Sequence, residues 1–152
     1  MAKEVWILGV DPPCPRCDLT RQRVERISNE LVGVSLNISH MIYSDFRAQA
    51  FAKSVGKETG TAKHVADKAG IKVDWGDHVH AVVKNPPSRP EDFDEIDGIA
   101  RQWSPEMDAA IRPCQEKADS VGILMTPILV VDRKVKHHGS MPSLEQLRMW
   151  LA

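Results

Sequence analysis

No sign of charge dominates this chain. Its 20 lysines and arginines stand against 21 aspartates and glutamates, a formal net charge of −1. That balance gives no overall electrostatic footprint for nucleic acid or for an anionic membrane, so neither is expected as a partner. Long apolar runs are missing too, and none approaches the roughly 20 residues of a membrane-spanning helix. The apolar stretch after Met1-Ala2-Lys3-Glu4 ends at Val10. It is too short for the core of a secretory signal, and no cleavage signature follows. The expected compartment is therefore the cytoplasm. Cysteine is scarce: three residues, Cys14, Cys17 and Cys114, do not make a disulfide framework. In a reducing compartment a close cysteine pair is more often catalytic, redox-sensing or metal-binding than structural. No internal repeat or low-complexity linker interrupts the chain. Its 152 residues, 42% hydrophobic and 27% charged, suffice for one ordinary domain with a real core.

What the chain does hold is Cys14-Pro15-Arg16-Cys17, placed directly after its first apolar run. Two thiols three positions apart can close a small ring if the backbone turns into a helix between them. A helix start offers free N–H groups and the positive end of the dipole, both of which favour a thiolate. Pro15 suits the first helical position, where no N–H is needed. Arg16 adds a positive charge. Four residues thus supply a nucleophilic thiol, a second thiol to resolve it, and an electrostatic reason for reactivity. The same four could be half of a zinc site, or hold a metalloid. No second CxxC exists to complete four thiolates.

Residues 4–10 read as a strand buried on both faces, central in a sheet. A helix starts at Cys14, with Val24, Ile27 and Leu31 inward and Arg21, Arg23, Glu25 and Arg26 toward solvent; Gly33 can end it. Residues 34–43 alternate as a half-buried strand, with Val34, Leu36, Ile38 and Ile42 on one side. Strand, helix and strand make a βαβ unit with parallel strands. Ser44 and Asp45 cap a helix over about 46–55, and Thr61 caps another that ends at Gly70. Periodicity weakens over 71–105. Ser104-Pro105 starts a helix that Pro113 kinks or restarts. Residues 128–131 form a buried strand, and 132–134 a turn into a second strand of a hairpin. Ser143 and Gln146 have capping-box spacing before a last helix carrying Leu144, Leu147 and Leu151.

This order, with the CxxC between the first strand and first helix and with Thr126-Pro127 opening the third strand, resembles the thioredoxin fold. The stretch Thr126–Leu151 is similar to the small redox-active disulfide proteins, a compact thioredoxin-like group. The resemblance covers about 1–56 and 118–152. It implies an α/β domain spanning 1–152, with a four-stranded mixed sheet flanked by helices. An inserted segment at about 57–117 precedes the cis-proline strand, and residues 71–105 have no counterpart. The implied chemistry is thiol–disulfide exchange with protein disulfide substrates, fed by an electron donor and needing no cofactor or metal. Cys14 would attack and Cys17 resolve, with Pro15 and Arg16 shaping the motif. Pro127 would be cis, and the Thr126 backbone would pair with an extended substrate segment. The chain departs from the pattern where thioredoxins carry a buried acid six residues before the first cysteine: Leu8 stands there. A different base, or water, must serve Cys17; Asp11 is closer in sequence but reads as a loop residue. His137-His138-Gly139-Ser140 replaces the Gly-Gly and acidic segment with which glutaredoxins bind glutathione, so no dedicated glutathione site is expected.

Other candidates have plainer readings. Cys114 lies on an apolar helical stripe and is expected to pack in the core. His78 and His80, with Asp74 and Asp77 near, would share a face on an extended segment and so form a conceivable metal cluster; packed or solvated histidines are the simpler reading. His137 and His138 should point to opposite faces of a strand. The acidic run 91–97 reads as a solvated loop or a selector of a basic partner. Trp75 and Trp103 are expected to pack the insert down. Two functions follow: a thiol–disulfide oxidoreductase, or a thioredoxin-fold binding module using the insert for a partner or the thiols for a metal or metalloid.

Overall fold

The computed structural model describes residues 2–152. Its chain runs β1 (Ala2–Gly9), α1 (Pro15–Glu30), β2 (Ser35–Ile42), α2 (Phe46–Ser54), β3 (Glu58–Gly60) and α3 (Ala62–Ala69). A π turn at Trp75–Val79 leads into α4 (His80–Lys84), and 3-10 turns follow at Phe93–Glu95 and Gly98–Gln102. Then come α5 (Pro105–Ala110), α6 (Arg112–Ala118), β4 (Ile123–Met125), β5 (Ile128–Val131), β6 (Lys134–His138) and α7 (Leu144–Leu151). The fold is α/β, with a four-stranded mixed sheet in the order β2-β1-β5-β6. β1 is parallel to β2 and antiparallel to β5, and β5 and β6 form the hairpin. Among the described residues no helix is long and apolar enough to cross a membrane.

β1 is central because both of its faces are apolar. Val5 and Ile7 pack with Val24 and Ile27 of α1 and with Leu147 and Leu151 of α7. Trp6 and Leu8 pack on the opposite face with Met41, Phe51 and Ile128. The helix ends follow local chemistry. Asp45 caps α2 by accepting from the Arg47 N–H. Thr61 and His64 form a capping box on α3, which stops at Gly70 in the left-handed region. Ser143 and Gln146 form another on α7. Pro113 restarts the helix at the α5–α6 break, where Ile111 leaves helical geometry.

Two expectations need correction. Arg23 does not face solvent, and the 91–97 run is not simply a solvated loop. Asp92 is only 9% exposed and pairs with buried Arg23 at 3.0 Å, while Glu95 pairs with Arg26 at 2.6 Å. The cause is that the insert folds over α1: Ile96, Ala100, Trp103 and Met107 pack on Leu19. Ile42 keeps to the Ile38 side of β2 and borders the cavity beside Cys17, although it is 38% exposed on that edge strand; Met41 is buried on the other face. Residues 77–83 are helical, so the extended frame that a His78–His80 cluster would require is not formed, and the Asp74 side chain accepts from the Asp77 N–H. Finally, β3 and β4 pair in parallel as a separate two-stranded sheet that the sequence pattern did not reveal.

Candidate active site

The loop after β1 delivers Cys14 to the cap of α1 in an extended conformation, and Pro15 takes the first helical position. Cys17 follows one turn later. Both are free thiols, with Cys14 partly exposed and Cys17 only 6% exposed. Their sulfurs lie 3.2 Å apart. The pair is electrically asymmetric. Cys14 is lowered from its ordinary 9.0 to about 6, chiefly by the hydrogen bond with Cys17. The Arg16 charge and the N–H groups of Cys17 and Arg16 add to this, against an opposing contribution from burial. Cys17 is pushed well above its ordinary value by the same hydrogen bond, by burial and by the charge of Cys14. The two shifts favour the same arrangement, with a proton shared between the two close sulfurs held by the inner one and the outer one disposed to ionise.

Gly9, which the sequence pattern did not single out, makes room for the inner thiol. A Cβ there would stand 2.9 Å from the Cys17 sulfur. The Leu8–Ile128 pairing in the β1–β5 ladder puts Gly9 and Pro127 at the same end of the sheet. The Thr126–Pro127 bond is cis, as the resemblance implies, and Asp11–Pro12 is cis as well.

Arg16 does more than add charge. It is 4% exposed and crosses from α1 to the segments facing it. One guanidinium nitrogen donates to the Gly139 carbonyl at 2.6 Å and lies 3.4 Å from Asp108. The other donates to the Thr126 carbonyl at 3.0 Å. Asp108 also accepts from the Met141 N–H at 3.0 Å. Arg16 thus ties the CxxC turn to the proline loop, to the end of β6 and to α5. Asp108 and Gly139 belong to this arrangement, yet neither lies in a recognisable motif.

The Thr126 backbone is not free to pair with a substrate. Its N–H donates to the Gly60 carbonyl at 2.9 Å, extending the β3–β4 ladder, and its carbonyl is held by Arg16. This corrects the role implied for it by the resemblance.

Leu8 is buried on the sheet face opposite α1 and offers no proton acceptor. Cys17 instead borders a cavity of about 240 Å³ whose walls include Asp18, Arg21 and His40. Asp18 accepts from Arg21, Gln22 and the Ala100 N–H. Burial holds His40 below its ordinary value, partly countered by Glu25. Asp11 also lines this cavity but is an exposed loop residue.

The remaining candidates are structural. Cys114 is fully buried among Val65, Ile111 and Met125, and its burial raises the thiol pKa. The His137 ring meets Ser140 Oγ at 2.7 Å and stacks on Trp150. His138 accepts from the Met125 N–H through Nδ1 and meets Asp119 through Nε2. Trp103 packs in the cluster on α1, and Trp75 packs against the insert's own apolar cluster. Among the described residues no group of three or more His, Cys, Asp or Glu side chains is arranged to hold a metal ion. No family model and no curated protein matches the chain.

Proposed function

We propose that this protein is a thioredoxin-like thiol–disulfide oxidoreductase, with an insertion at about 57–117, working in the cytoplasm. The observation that carries the reading is the asymmetric thiol pair at a helix start, two sulfurs 3.2 Å apart, the outer one partly exposed with its pKa lowered and the inner one buried with its pKa raised. The sheet order, and a cis proline at the end of the sheet where the thiols lie, are compatible with it.

In the reducing direction the Cys14 thiolate attacks one sulfur of a substrate disulfide and expels the other as a thiolate. Cys17 loses its proton and attacks the Cys14 sulfur of the mixed disulfide. The second substrate thiolate leaves, and a Cys14–Cys17 disulfide forms. Two electrons pass from the dithiol to the substrate; the Cys17 proton goes to one released thiolate, and the other takes its proton from water. An external dithiol then restores the pair. The test is trapping. Cys17→Ser should accumulate a mixed disulfide at Cys14 with a model disulfide, and Cys14→Ser should not. The reading is wrong if neither variant alters exchange, or if the purified protein carries one metal ion per chain that blocks both thiols.

A further inference from the structure

We infer that the site acts on disulfides of low-molecular-weight thiols in preference to disulfides within extended polypeptides, an inference that rests on the exchange chemistry proposed above. A polypeptide segment held in extended form beside a thiol needs main-chain donors and acceptors left free to pair with it, in alternation. The rim of this site has few to offer. The Thr126 N–H is donated to Gly60, and its carbonyl accepts from Arg16. The Gly9 carbonyl accepts from the Tyr43 N–H, and the Cys14 carbonyl from the Asp18 N–H. The Pro127 carbonyl accepts from the Gly139 N–H, and the Gly139 carbonyl accepts from Arg16. Carbonyl oxygens keep a second lone pair, but a ladder also needs donors. Pro12, Pro13, Pro15 and Pro127 have none.

Two parts of the chain itself hold the main-chain groups of Thr126. β3 extends its ladder onto the Thr126 N–H, and the buried Arg16 guanidinium holds the carbonyl of the same residue, which is 3% exposed. Cys14 nevertheless keeps part of its surface in solvent. A small disulfide needs only that opening, because its sulfur reaches the thiolate without main-chain pairing. Arg16 is then a specificity-determining residue: it occupies one lone pair on each of the Thr126 and Gly139 carbonyls and holds both in place against an incoming chain.

The experiment is single-turnover oxidation of the reduced, desalted protein, followed by acid quench, separation of the protein from the probe and its released thiols, and counting of the thiols left on the protein. Bis(2-hydroxyethyl) disulfide and cystine are the small probes, and insulin is the polypeptide probe. Each rate is divided by that of dithiothreitol on the same disulfide, which removes the intrinsic reactivity of the probe. The normalised rate for the small probes should exceed that for insulin by at least about tenfold. A smaller ratio overturns the inference while leaving exchange chemistry intact. Loss of no thiols with any probe overturns the exchange reading itself. Arg16→Gln should narrow the ratio by raising the insulin rate relative to the small probes. Because both rates use the same Cys14 thiolate, a change in its pKa cancels in that ratio. An unchanged ratio in a folded Arg16→Gln protein overturns the role given to Arg16.

Discussion

Removing the inner thiol should make the outer one a weaker acid. Cys14 sits at about 6 against an ordinary 9.0. That difference of about 3 units corresponds to about 4 kcal/mol of preference for the thiolate, at 1.36 kcal/mol per unit. At pH 7 about 90% of Cys14 would be ionised, against about 1% for an unperturbed thiol. Acidity also lowers intrinsic nucleophilicity, by about 0.4–0.5 log units for each pKa unit, or about 20-fold over this range. The net advantage at pH 7 is therefore only about fourfold, and it reverses in alkaline solution. The sign is definite: a lowered pKa means reactivity that climbs through the region around pH 6 and is flat above it. Alkylation by iodoacetamide across pH 4.5–10, with the site confirmed by peptide mass, measures this profile. Cys17 and Cys114 are buried with raised pKa values and should not compete below neutral pH. Cys17→Ala removes the largest cause of the depression and should move the inflection up by at least about one unit, about 1.4 kcal/mol. A wild-type inflection at 8.5 or above would refute the reasoning. So would an inflection that stays in place in Cys17→Ala, since the shared proton could not then be the cause.

Two further substitutions probe how the site is held. Asp92→Ala leaves the Arg23 guanidinium buried without its carboxylate, although Nη1 keeps the Pro142 carbonyl at 3.1 Å. It should cost about 3–5 kcal/mol in urea unfolding, and a loss below about 1 kcal/mol would show that the insert is not clamped to α1 through this pair. Gly9→Ala introduces a methyl 2.9 Å from the Cys17 sulfur. It should lower stability by about 1–3 kcal/mol and slow closure of the Cys14–Cys17 disulfide. Equal unfolding midpoints and equal closure rates would show that the thiol has room to move.

Local features were readable because their causes are local. An apolar run without alternation marked β1 as central, and it is buried on both faces. Pro15 after Cys14, Asp45, the Thr61 box and the Ser143 box lie where short-range hydrogen bonding and restricted φ place helix ends. Residues 71–105 were not readable, because their short π and 3-10 turns have no period to detect. The three-residue strands β3 and β4 are likewise too short to show alternation, and they meet only through the fold.

The sequence by itself determined that two thiols would sit one turn apart at a helix start, behind a strand with no polar face. Proline geometry, dipole and hydrophobic pattern act within a few residues and need nothing from the rest of the chain. Tertiary structure decided what surrounds those thiols. Arg16 reads as an ordinary charge until folding brings Thr126, Gly139 and Asp108 to it from more than ninety positions away. Arg23 reads as a surface residue until the insert lays Asp92 over it. A buried guanidinium must find acceptors wherever the chain supplies them, and a free main-chain group can be taken by any strand that reaches it. Neither outcome is written in local pattern.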